Sequence, residues 1–170
     1  MNPGGSVKDR AALGILNDAI KNKKLKKNGI IVEGTAGNTG ISLTQLGNSI
    51  GCKTIIVMPE TQSNEKKQLL EILGAELILV PAVPYKNPNN YVKYSKKLSE
   101  DLSKKEKNKT VLWANQFDNS SNLNAHFNST GPEIWEQTCG KVDGFICAIG
   151  SGGTIAGVAN YLKKKNAKIQ

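Results

Sequence analysis

The sequence is poor in several residue types that define whole classes of protein. Arginine is almost missing: Arg10 stands alone among 23 basic residues, and aromatics make up 5% of the 170 residues. The net charge of +9 therefore does not read as a nucleic-acid surface, because no Arg and aromatic stacking pattern accompanies it. The lysines cluster at 21–27, 96–109 and 163–168, which suits helix ends and solvated faces. Cysteine is scarce, with Cys52, Cys139 and Cys147 far apart and odd in number, so no disulfide framework is expected. Cys147 lies in an apolar run and is expected in the core. One histidine, His126, without a close Cys pair gives no basis for a zinc site. No local signature supports a Cys nucleophile paired with His126. No apolar run approaches the roughly 18–20 residues of a membrane span, and the N-terminus lacks a secretory signal. The expected compartment is intracellular: the cytoplasm, or the mitochondrion if a segment precedes Met1.

What is present is alternation of strand-like and helix-like segments. Ser6 can cap a helix with Asp9 three residues on, followed by Ala12, Leu16, Ala19 and Ile20 at helical spacing. Strands are expected at 30–32, 54–58, 76–80, 110–113 and 144–149. Between them, helices are expected at 38–50, from Ser63 to Gly74, and from Tyr91 onward. Residues 119–140 read as helical but broken near Gly131-Pro132, and 154–165 as the last helix. Continuous apolar strands alternating with helices give an α/β fold of mostly parallel sheet with helices on both faces.

Two glycine-rich loops follow strands and open helices. In Gly34-Thr35-Ala36-Gly37-Asn38-Thr39-Gly40, free backbone N–H groups at a helix N-terminus suit a phosphate or carboxylate. An ordinary strand-to-helix connection explains this loop equally well. Gly150-Ser151-Gly152-Gly153-Thr154 repeats the arrangement, with two hydroxyls as extra donors. A Walker phosphate loop is excluded, since no Lys-Ser/Thr follows at the required spacing. A dinucleotide fingerprint is weak, because Ile155 occupies the third glycine position. Far upstream, Lys8 follows the tight turn Pro3-Gly4-Gly5 and falls in a first helical turn, where the dipole disfavours an unpaired cation. Composition alone makes it one more solvated lysine. Aimed into a cleft, it becomes a candidate nucleophilic amine.

Asn2-Pro3-Gly4-Gly5-Ser6-Val7-Lys8-Asp9-Arg10 resembles the cofactor-lysine motif of the cysteine synthase and cystathionine β-synthase family, fold-type II pyridoxal 5'-phosphate enzymes of the tryptophan synthase β-like superfamily. The Gly34–Gly40 loop resembles the family's Thr-Ser-Gly-Asn-Thr-Gly loop. Gln116-Phe117-Asp118-Asn119, Thr130-Gly131-Pro132-Glu133-Ile134-Trp135 and Gly150–Thr154 match further segments in the same order. The resemblance implies that Lys8 is the Schiff-base lysine, which then shuttles the substrate α-proton. It implies that Asn38 bonds the cofactor ring hydroxyl. Gly150, Ser151, Gly152, Gly153 and Thr154 would cradle the phosphate. Thr35, Gly37, Asn38 and Thr39 would grip the substrate carboxylate, with Gln116 nearby.

The implied reaction is β-replacement, in which an activated, O-acetylserine-like serine loses its leaving group and sulfide adds to give L-cysteine. The implied partners are this amino acid, sulfide and a second copy of the chain, with no nucleic acid and no membrane. Position 36 is Ala where the family usually carries Ser. The resemblance also implies a partial chain: a smaller domain over 1–118, and the beginning of a larger one over 119–170. No residue here is assigned to the cofactor's ring nitrogen, and weak or no activity is expected of the chain alone. The alternatives are a serine/threonine dehydratase or cystathionine-forming enzyme of the same fold, a non-catalytic truncated fragment or interaction module, and a nucleotide binder using the Gly150 loop.

Overall fold

A computed structural model describes residues 1–170. Four parallel strands form one sheet in the order β3-β2-β1-β4. These are β1 (Ile30–Gly34), β2 (Lys53–Pro59), β3 (Glu76–Val80) and β4 (Val111–Trp113). Crossovers are supplied by α2 (Asn38–Ser49), α3 (Asn64–Ile72) and α4 (Tyr91–Lys105). Ahead of the sheet lies α1 (Lys8–Lys21). Beyond it come α5 (Ser120–Ala125), a π-helical turn at His126–Thr130, α6 (Gly131–Gln137) and α7 (Gly153–Lys165).

Strand alternation sorts the core. Ile31 and Leu112 point to the side of α1 and α2, where they pack with Ile15, Leu16 and Leu43. Ile30, Val32 and Ile55 point to the other side, toward Leu98 and Leu102 of α4. Leu70 of α3 joins Ile41, Ile56 and Met58. Helices therefore cover both faces, and β1 is buried along its whole length. A separate cluster of Val158, Leu162 and Ile169 gathers Ile134, Trp135 and Phe145 around α6 and α7. No helix is long and apolar enough to cross a membrane.

Four expectations need correction. Residues 144–149 form no strand. The backbone there meets Gln170, through Phe145 N–H to Gln170 O and Gln170 N–H to Asp143 O, each 2.9 Å, but no neighbouring strand. Apolar sequence without a ladder partner leaves Ile146 98% and Ile149 72% exposed. Cys147 is accordingly half-buried rather than core, and all three cysteines are free. The helix expected to break at Gly131-Pro132 is instead continuous over 120–137: a π turn, with Gly131 N–H bonded to His126 O, carries the chain into α6 at the proline. Finally, Ser6 does not form the expected capping box. Its Oγ accepts from Lys8 N–H (3.2 Å), while Asp9 turns elsewhere.

Replacing Ile31 by Ala should cost about 2–4 kcal/mol in a denaturant titration, because the site is fully enclosed. Ile146→Ser should leave the midpoint unchanged within about 0.5 kcal/mol. Equal losses would contradict the placement of the two residues.

Candidate functional site

In a parallel sheet, the carboxyl ends of neighbouring strands open at one edge, and ligands bind there. β1 ends at Gly34 and runs through Thr35–Gly37 into α2, while β4 runs through Ala114 to Asn115 and Gln116. The Thr39 hydroxyl donates to Gln116 Oε1 (2.6 Å), tying the two exits together. Thr35 and Thr39 are buried, Asn38 and Ala36 exposed. The N-terminus of α2 has no side-chain cap, so its N–H groups stay available to an anion.

Two anchors follow Lys8 directly. The Asp9 carboxylate accepts from Gly4 N–H (2.6 Å) and from the Ser42 hydroxyl (2.5 Å), fixing the Pro3-Gly4-Gly5 turn against α2. The Arg10 guanidinium makes a two-toothed pair with Glu133 at 2.8 and 2.6 Å, and its Nε donates to Asn2 Oδ1 (3.2 Å). α1 is thereby fastened to both α2 and α6. A methyl group built on Gly150 would lie 3.9 Å from Lys8 Nζ, so the amine reaches the Gly150 loop across some 140 residues of chain.

That loop opens α7, whose N-terminus is also uncapped by any side chain. Gly152 has φ 82°, a left-handed conformation that L side chains rarely take. Gly153 lies directly against the Asn122 carboxamide, where any Cβ would collide. Asn122 Nδ2 donates to Ser151 Oγ and to Gln116 O, both at 2.9 Å, joining α5 to the Gly150 loop and to the exit of β4.

A cleft of about 390 Å³ brings Lys8 together with Thr35, Gly37, Asn38 and Thr39, Gln116, Gly150 and Ser151. Gly152 and Gly153 line an adjoining pocket of about 290 Å³, which shares Gln116 and Ser151 with the cleft. Thr154 stands behind, 3.3 Å from His126 Nε2. The sequence reading missed Lys66, Tyr91 and Phe117, which also line the cleft. They come from α3, α4 and the exit of β4; Phe117 lies in a segment that resembles the family, whereas nothing in the local sequence of Lys66 or Tyr91 marks them.

Two buried ionisable side chains lie just behind. Glu33 on β1 is 1% exposed, and its Oε2 has no partner. Burial pushes its carboxyl up to about 8, against the opposing pull of the Gln116 and Asn115 N–H groups. Burial, together with Glu33, also raises the Tyr91 phenol. Burial and the positive charges of Lys8 and Arg10 hold the His126 imidazole down at about 4, so it is neutral at pH 7. Its ring nitrogens face Thr130 and Thr154 rather than a cysteine.

One amine between two uncapped helix N-termini suits an anionic carbonyl compound, and kinship agrees with that chemistry. The chain belongs to the family of pyridoxal-phosphate dependent enzymes, whose model matches residues 1–170. More particularly, it is 53% identical to cysteine synthase 1 of Neurospora crassa, over 96% of this chain and 42% of that protein. It is 51% identical to the cysteine synthase of Dictyostelium discoideum, over 100% of this chain and 43% of that protein. Among solved structures, it superposes on the O-acetylserine dependent cystathionine beta-synthase from Helicobacter pylori with a TM-score of 0.89 and 37% identity, covering 100% of this chain and 53% of that one. An O-ureido-L-serine synthase gives 0.85 and 34%, covering 99% and 51%. The chain thus spans about two-fifths of the length of these curated relatives. Family membership assigns pyridoxal phosphate as the cofactor, and the cleft fits it in volume and donor type.

Glu33 supplies a pH test. The folded chain keeps a proton on this carboxyl between about pH 4.5 and 8, where the unfolded chain releases it. Its contribution to stability is therefore complete below about 4.5 and lost as pH rises through 8. Glu33→Gln mimics the protonated form and should gain about 2–3 kcal/mol over the parent between pH 5 and pH 8 in denaturant titrations. A pH-independent difference would place the carboxyl in a solvated setting instead.

Proposed function

We propose that the cleft holds pyridoxal phosphate covalently through Lys8 Nζ, with its phosphate on the Gly150–Thr154 loop and its ring beside Asn38. The observation that carries this reading is the approach of Lys8 Nζ to Gly150, with the uncapped termini of α2 and α7 on either side. Thr35, Gly37, Asn38 and Thr39 take the substrate carboxylate, and Gln116, fixed by the Thr39 hydroxyl, closes that side. The whole protein forms L-cysteine from an O-acetylserine-like substrate and sulfide, in keeping with its likeness to the cysteine synthases.

When bound, the cofactor supplies an electron sink for negative charge at the amino-acid Cα. The protein's own work is positioning and proton transfer. Once the substrate amine has taken its place on the cofactor, the freed Lys8 Nζ would take the Cα proton, the Cβ–oxygen bond to the leaving group would break, and a Cβ–sulfur bond would form with sulfide. Lys8 then returns the proton to Cα. The α2 N-terminus offsets the carboxylate charge throughout. Ala36 offers no hydroxyl, so carboxylate binding rests on the backbone donors and the neighbouring side chains.

The reading includes a smaller unit over 1–118 and the beginning of a larger one over 119–170, in a homodimeric cytoplasmic or mitochondrial enzyme. The exposed 144–149 segment favours weak or absent turnover by these residues alone. A serine/threonine dehydratase would use the same lysine without a thiol, so sulfide-dependent turnover separates the two. Incubation with pyridoxal phosphate, borohydride reduction and peptide mapping should place the label on Lys8, and Lys8→Ala should abolish it. Label spread over the surface lysines in both proteins would overturn the assignment.

A further inference from the structure

We propose that His126 and Asn122 are positioning residues: they hold the Thr154 and Ser151 hydroxyls from behind as acceptors, so that both hydroxyl protons are free for the cofactor phosphate. The proposal rests on the phosphate assignment made under Proposed function. It adds a direction to every hydrogen bond behind the loop, and that direction follows from groups that can only donate or only accept.

The first chain starts at Arg10. Its Nη1 lies 3.4 Å from Thr130 Oγ1 and 2.8 Å from Glu133 Oε1. A guanidinium has five donors and no acceptor, so the Thr130 proton cannot point toward it. The other neighbour of that hydroxyl is His126 Nδ1, at 2.9 Å. Thr130 pairs its one hydroxyl proton only by donating there, which makes Nδ1 the acceptor. The imidazole is neutral at pH 7 and carries one ring proton, which then sits on Nε2. Nε2–H faces Thr154 Oγ1 at 3.3 Å and donates to it. The single proton of Thr154 is left for another acceptor.

The second chain starts at Gln116 O. A backbone carbonyl only accepts, so the Asn122 amide must turn its nitrogen toward it (2.9 Å). The same nitrogen lies 2.9 Å from Ser151 Oγ and donates its second proton there. Asn122 Oδ1 is left buried without a partner. Turning the amide over would set two carbonyl oxygens face to face, so the orientation holds despite that orphan. The Ser151 proton is free in turn. The π turn carries both His126 and Thr130, and through them it meets Arg10 of α1 and Thr154 of α7. The two hydroxyls are thus oriented before a phosphate arrives, which spares the cost of ordering them on binding.

His126 is the chain's single histidine, so 15N-histidine labelling reports one ring. Two-bond 15N–1H correlation at pH 7, without ligand, should show Nε2 protonated and Nδ1 bare; the Nδ1–H form would overturn the proposal. Equilibrium binding of pyridoxal phosphate adds a second arm. His126→Gln places an amide N–H near the Nε2 position and should stay within about threefold of the parent, whereas His126→Met should weaken binding about five- to tenfold. Combining Thr154→Val with His126→Met should cost clearly less than the sum of the two single losses, since the imidazole acts only through that hydroxyl. Equal losses for Gln and Met in folded proteins, or additive losses for the pair, would sink the idea. A parent protein that binds no pyridoxal phosphate would strike the cofactor assignment instead, and the tautomer would still be decided by the ligand-free spectrum.

Discussion

The Asp9 carboxylate accepts at once from the Gly4 N–H and from the Ser42 hydroxyl. This pair of bonds joins the turn before Lys8 to the helix whose N-terminus faces the cleft. One residue further on, the Arg10 pair with Glu133 fastens the same turn of α1 to α6. Lys8 is therefore followed directly by two residues that are both tied down, and the turn before it is held by the first of them. Without those ties, a long, rotamer-rich lysine would have little reason to hold one position. With them, its amine is delivered to Gly150, between two helix N-termini that no side chain caps.

The sheet does the rest of the placement. Parallel pairing of β1 with β2 and β4 sends the Thr35 loop and Gln116 out of the same edge. Burial along all of β1 packs that edge closely, and the same burial leaves Glu33 in a setting where its charge is expensive. Behind the opposite loop, Asn122 and His126 make a polar wall whose members each touch a loop residue. The site is thus assembled from two packed bodies of side chains, one on the sheet and one around α5 to α7. The proposed cofactor lysine and the proposed phosphate loop come from opposite ends of the sequence.

Much of this was readable from the sequence, for reasons that can be named. Ile30-Ile31-Val32 and Thr54–Met58 are continuous apolar runs between turn residues, and they became the central strands. Glycines followed by a helical pattern marked both loops. The run at 144–149 looked the same and failed, because a strand needs a neighbour that periodicity cannot supply. Asp9 looked like a capping residue for Ser6, yet it bonds Ser42 from 33 residues away. Lys66 and Tyr91 carry no local signal, since the crossovers alone bring them to the cleft. Glu33 and His126 look ordinary in sequence, and only their burial makes them unusual. Composition and pattern report local geometry well; the polar contacts that organise the site are long-range.

The central claim is that Lys8 Nζ and the two helix N-termini form one site for one molecule. A crystal structure of the protein grown with pyridoxal phosphate tests it most directly. The account predicts a covalent link from Lys8 Nζ to the cofactor, with the phosphate on the N–H groups and hydroxyls of Gly150–Thr154. Electron density that joins the cofactor to Lys66 or another lysine, or seats its phosphate away from the α7 N-terminus, would contradict it.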